Sequence, residues 1–125
     1  MNELQQARQL EKINSEIDWQ PLRFMIRWLR EMDYSVGSLP KDEITLFKAM
    51  LLQDWNGLSD EETEYMINDR LSFRRFLGLK PQESAPEVGL IRLFKEQIGQ
   101  GSMIEFLFEM FNDQLEKMGL EKIAI

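Results

Sequence analysis

The stretch from Lys41 to Trp55 constrains the fold more than any other, because it is apolar on nearly every side. Ile44, Leu46, Phe47, Ala49, Met50, Leu51, Leu52 and Trp55 leave little room for a polar stripe at helical spacing. A helix of that kind has to be surrounded, so the rest of the chain must cover it. The flanking segments are also helical in pattern. Glu3 to Ile17 sets Leu4, Ala7, Leu10, Ile13 and Ile17 on a weak apolar face, and residues 1–16 read as a peripheral helix. Trp19 to Met32 places Leu22, Met25, Ile26 and Leu29 on one face, with Pro21 in its first turn. Arg23, Arg27 and Arg30 occupy the opposite face.

Punctuation divides the chain further. Tyr34 to Pro40 is a loop with Gly37 and Ser38, and Asn56-Gly57 stops the central helix. Ser59-Asp60-Glu61-Glu62 is a capping box whose acidic first turn complements the helix dipole, opening a helix to about Asn68. Ser72 to Leu77 is a short helical piece closed by Gly78, and Lys80 to Ala85 is a loop with Pro81. Pro86-Glu87 opens a helix to Ile98. Gly99 and Gly101 break it, and Ser102 caps a last helix that reaches Met118-Gly119. Strand-like alternation and internal repeats are missing. The expected fold is all-α, a compact bundle of about six helices in one domain spanning residues 1–125.

Composition excludes much chemistry. The 125 residues contain no cysteine, which rules out disulfides, thiol nucleophiles and zinc ribbons. They contain no histidine, which removes the commonest general base and every Ser-His-Asp arrangement. Any metal would have to rely on carboxylates and carbonyls, a donor set that favours magnesium or manganese. Apolar runs such as Met103 to Phe111 fall short of the ~20 residues a membrane span needs, and the N-terminus lacks a signal-peptide pattern. The expected location is cytoplasmic, with no membrane partner. Net charge is -7 and the pI about 4.7, which repels phosphate at long range unless positive charge is concentrated locally.

Such concentration exists between Leu58 and Leu79. The first half carries Asp60, Glu61, Glu62, Glu64 and Asp69, and the second half Arg70, Arg74 and Arg75, with Lys80 just beyond. A short helix, a tight turn and another helix make a helix-turn-helix-like unit, and arginines at its joint can grip phosphates by bidentate hydrogen bonds. The competing account pairs Arg70 and Arg74 with the acidic helix beside them. Asp60, Glu61, Glu64 and Asp69 fit capping and solvation better than a metal site. The aromatic residues Trp19, Phe24, Trp28, Phe47 and Trp55 could stack on bases, but their helical spacing favours core packing. In the last helix Ile104, Leu107, Phe108, Phe111, Leu115 and Met118 form one apolar stripe, and Met103, Phe106 and Met110 a second. The second stripe suits a central core helix, a contact with a further domain, or a second copy of this chain.

The run from Gly57 to Leu79 resembles the signature of the helical N-terminal domain of bacterial insertion-sequence transposases of the Asp-Asp-Glu type, whose members read close to "GLSDEE…NDRLSFRRFLGL". Ile17-Asp18-Trp19 is similar to that family's opening "IDW", and Phe47 to Gln53 to its "FKALLLQ" helix. Phe94 and Asn112-Asp113-Gln114-Leu115 also fall where the family has similar residues, so the likeness covers about Ile13 to Leu120. It implies a module that binds double-stranded DNA at the terminal inverted repeats of a mobile element during transposition. In the family this domain precedes a nuclease domain in which three carboxylates hold magnesium ions. The chain ends at Ile125, ahead of the first of those aspartates, so the catalytic domain is expected to be absent. No catalytic or metal-binding residue and no cofactor are then assigned to this chain, and the expectation is a non-enzymatic module. After Pro86 the family carries a polar, basic helix start, where this sequence has Glu87-Val88-Gly89-Leu90; Arg92 and Lys95 are what remains of that charge. The expected DNA contacts are Arg70, Arg74, Arg75, Lys80, Arg92 and Lys95, with a homodimer as a further partner. The alternative is a degenerate or domesticated remnant that serves as a protein-interaction or oligomerisation module without reading DNA.

Overall fold

A computed structural model describes residues 2–31, 41–99 and 103–120, the side chains of Glu31 and Met103 excepted. Within them the chain forms seven α-helices and no strand: α1 (Glu3–Glu16), α2 (Gln20–Glu31), α3 (Glu43–Asn56), α4 (Asp60–Asp69), α5 (Leu71–Leu77), α6 (Val88–Ile98) and α7 (Met103–Lys117). With the short piece expected at Ser72–Leu77 formed as α5, the described residues hold seven helices against the expected six or so. The Tyr34–Pro40 loop, Gly101 and the Ser102 cap lie outside the described residues.

The apolar run does occupy the centre. Every residue from Ile44 to Leu52 except Thr45 is buried, and α3 packs against α2, α4, α5 and α6. Asp42 caps its start by accepting the Ile44 N–H at 3.0 Å, and Gly57 ends it in the left-handed region at φ 60°. The capping box forms as the sequence implies: Ser59 Oγ accepts the Glu62 N–H at 3.0 Å, and the Glu62 carboxylate accepts the Ser59 N–H at 3.0 Å. Gly78, at φ 75°, closes α5 in the same left-handed way as Gly57.

Around α3 the core is rich in rings. Phe111 of α7 stacks on Trp19 with centroids 5.9 Å apart and meets Phe47 edge-on at 6.1 Å. Trp55 leans on both Phe76 and Phe111. The corner between α1 and α2 is pinned to α7 in both directions: the Asp18 N–H donates to Gln114 Oε1 at 2.8 Å, and Gln114 Nε2 donates to the Asp18 carbonyl at 2.9 Å. Ile17-Asp18-Trp19 and Asn112–Leu115, far apart in sequence, therefore meet as one scaffold element. Helix α1 docks through Leu10 and Ile13, followed by Ile17 at its end, and it lies along α5.

One expectation about aromatic residues needs correction. Phe24 and Trp28 are 74% and 49% exposed, because α2 buries Leu22, Ile26 and Leu29, and positions two residues on point to the far side of the helix. In α7 the first stripe is core, with Leu107, Phe108, Phe111 and Leu115 buried, whereas Phe106 of the second is 46% exposed.

Candidate nucleic-acid interface

The basic residues of the chain differ mainly in whether the fold supplies them with a partner. Arg92 and Lys95 sit on α6 opposite the first turn of α4. Arg92 bonds Asp60 at 3.0 Å and Glu61 at 2.6 Å, and Lys95 Nζ bonds Asp60 at 2.9 Å and the side-chain oxygen of Gln53 at 3.0 Å. Gln53 Nε2 donates to Asp60 as well, at 2.9 Å. These donors lock α3, α4 and α6 together around one carboxylate. The Gln53 and Lys95 hydrogen bonds, with Arg92 behind them, hold Asp60 down to about 2. The remaining positive charge of α6 is thus neutralised at its own surface.

The α2 stripe behaves alike. Arg23 pairs with Asp42 and, at 3.2 Å, with Glu43; Arg27 pairs with Glu43; and Arg30 Nε donates to Gln97 of α6 at 3.0 Å. Burial pushes the Asp42 carboxyl up, but Arg23 and the Ile44 and Thr45 N–H groups outweigh it and leave the group below the ordinary aspartate value. Lys48 is buried inside the bundle, its Nζ 2.6 Å from Asn14 Oδ1 and 4.7 Å from the Trp19 ring. Burial lowers that amine to about 8.

The arginines at the α4–α5 joint have separate fates. Arg70, the single residue between the two helices, is extended; it pairs with Glu3 of α1 at 3.1 Å and lies over the Phe73 ring. Arg74 turns inward along the 80–83 loop, its Nη2 donating to the carbonyls of Lys80 at 2.9 Å and Glu83 at 2.6 Å. Neither pairs with α4, whose acidic first turn is engaged by α6. Lys80 is exposed, with its charge beside Glu83; the Lys80 N–H is the main group holding the Glu83 carboxyl down. Arg75 is exposed, and its side chain makes no hydrogen bond or ion pair. It borders a groove of about 190 Å³ between α1 and α5, lined also by Ala7, Leu10, Glu11, Asn14, Leu71, Ser72 and Phe76.

Two cations missed by the sequence reading join it. Arg8 and Lys12 stand one turn apart on exposed positions of α1, their side chains also without a hydrogen bond or ion pair. Their only sequence signal is an i, i+4 pair of like charge, masked by the neighbouring Glu3, Glu11 and Glu16. Two acidic-helix residues have structural tasks that spacing alone did not suggest. Glu64 accepts the Val88 N–H at 2.8 Å and so caps α6, and Asn68 accepts the Ala85 N–H at 2.9 Å. Among the described residues no three carboxylates converge as a group that could hold a metal ion. No described helix is long and apolar enough to cross a membrane.

Residues 1–97 match the transposase domain family DUF772, and with most of the chain covered, the protein belongs to that family. No curated protein and no solved structure matches it. The family gives the chain a transposase-related role.

Proposed function

We propose that the chain is the DNA-end-binding module of a transposase, engaging double-stranded DNA at the terminal inverted repeats of a mobile element and carrying no strand-cleaving activity itself. Family membership supports the reading, and the observation that carries it is Arg75. Its side chain stands outward and unpaired on the second helix of the closely packed α4–α5 pair. The joint is one residue, tighter than the roughly three- to four-residue turn of DNA-reading helix pairs, and α5 is flanked by α1, α3 and α4. That geometry suits contact with phosphates more than insertion of α5 into a groove. Binding should therefore be weak and strongly salt-dependent. Titrating duplex DNA at low salt and again near physiological salt tests the proposal; no binding at either would reject it.

The second reading, a protein-interaction module, is favoured by the outward Phe24, Trp28 and Phe106. If Phe106 meets a second copy, Phe106→Ser should shift sedimentation from dimer to monomer while leaving the thermal melt in place. A chain that sediments as a monomer at high concentration before any substitution rejects self-association through this residue.

A further inference from the structure

Among the described lysines and arginines, the side chains of Arg8, Lys12, Arg75, Lys80 and Lys117 are exposed with no hydrogen bond or ion pair; the first three lie on α1 and α5, which pack against each other, whereas Lys80 has Glu83 beside it. We infer that the α1–α5 face is the phosphate-contacting surface of the domain, with Arg8, Lys12 and Arg75 as sequence-independent contacts to the backbone of duplex DNA. The inference rests on the DNA-binding reading and moves its surface: α1 becomes part of the interface, and α6 drops out of it.

Charge complementarity selects this face over the others. A phosphate approaching Arg92 or Lys95 would have to displace Asp60 and Glu61, and one approaching Arg23 or Arg27 would have to displace Asp42 and Glu43. At Arg8, Lys12 and Arg75 no ion pair has to be broken, Glu11 being the acid that shares the groove with Arg75. Glu3, the first residue of α1, is paired with Arg70, which leaves Glu11 and Glu16 as the negative charges of α1 that no ion pair holds. Within the block from Leu58 to Leu79, Phe73, Phe76 and Leu77 are core and Arg74 ties the loop, whereas Leu71 and Arg75 are left outward, both on the α1–α5 groove. Lysine meets phosphate as a point charge and arginine can meet it with a bidentate fork, so both residue types suit contacts to the DNA backbone.

The test uses the full chain and a short labelled duplex of arbitrary sequence, with affinity measured across salt concentrations. Each phosphate contact adds about 0.9 to the slope of log affinity against log salt, so three contacts give about 2.7, roughly 40-fold between about 50 and 200 mM salt. The triple variant Arg8→Gln, Lys12→Gln, Arg75→Gln should flatten the slope by that amount. Lys117→Gln and Arg92→Gln should leave it alone, and Arg75→Lys should keep it. If the triple variant is unstable, Arg75→Gln alone carries the test, with an expected loss of about 0.9. Binding by the unaltered chain with a slope that the substitutions do not change overturns the inference and leaves the DNA reading standing. No binding by the unaltered chain at low salt overturns both.

Discussion

The α3–α4–α6 junction and the α1–α5 face hold the same residue types in opposite electrostatic states. At the junction Asp60 collects Gln53, Lys95 and Arg92, so two cations of α6 become internal fittings. On the α1–α5 face Arg8, Lys12 and Arg75 find no such acid and remain available to a ligand. A positive charge therefore becomes a binding group only where the fold leaves it unmatched, which local sequence density does not reveal. The difference also bears on how a chain of net charge -7 can leave cations free: Asp42, Glu43, Asp60 and Glu61 are paired with other cations, while Glu11 and Glu16 stay unpaired on α1.

The largest effect is expected at the junction. Asp60→Ala should destabilise the domain by roughly 2–3 kcal/mol, because it strips a charged acceptor from three donors. Asp60→Asn should cost less, since it keeps one acceptor. The pH dependence has a definite sign. With the folded carboxyl held at about 2, below its ordinary 3.8, its contribution is complete above that ordinary value and disappears as pH falls from about 4 toward 2. Urea midpoints across that range should fall more steeply for the parent than for Asp60→Asn. Equal slopes would mean that Asp60 is not the clamp described.

The pairing pattern was the least legible part of the sequence. Spacing located α3, the Ser59–Glu62 capping box and the glycine stops, since each depends on neighbours within one or two helical turns. It could not show that Asp60 and Glu61 meet Arg92 and Lys95 from another helix, because packing makes that contact and periodicity does not encode it. The nearer arginines, Arg70 and Arg74, were the natural partners by sequence, yet they turn to Glu3 and to loop carbonyls. Phe24 and Trp28 misled for a related reason: residue type suggests core, but the helix phase set by Leu22 and Ile26 turns them outward. Of the six residues expected to meet DNA, the described geometry leaves Arg75 and Lys80 outward without an ion pair.

A smaller effect is expected at Lys48, the buried amine beneath the α1–α5 groove, whose partners Asn14 and Phe76 also line that groove. Its folded value, lowered to about 8, disfavours the charged form in the bundle. Stability should rise as pH climbs from about 8 to 10.5, where only the unfolded chain still holds the proton. Lys48→Met should remove that rise while changing stability near pH 7 by no more than about 1 kcal/mol, since a lost cation–π contact offsets a relieved desolvation. A rise that persists in the variant would assign it to another group.

The most direct test compares two adjacent arginines. Arg74→Ala should lower stability by roughly 2 kcal/mol, because loop carbonyls lose a charged donor. Its duplex-DNA salt slope, measured where the variant is folded, should match the parent. Arg75→Ala should leave the melt within about 0.5 kcal/mol of the parent, as surface changes away from structural features usually do. It should also flatten the salt slope by about 0.9. Thermal melts and salt titrations of the two single variants, run side by side, should show this crossed pattern. An Arg75→Ala variant that loses stability and keeps its DNA slope, beside an Arg74→Ala variant that does the reverse, would contradict the division between fitted and free cations.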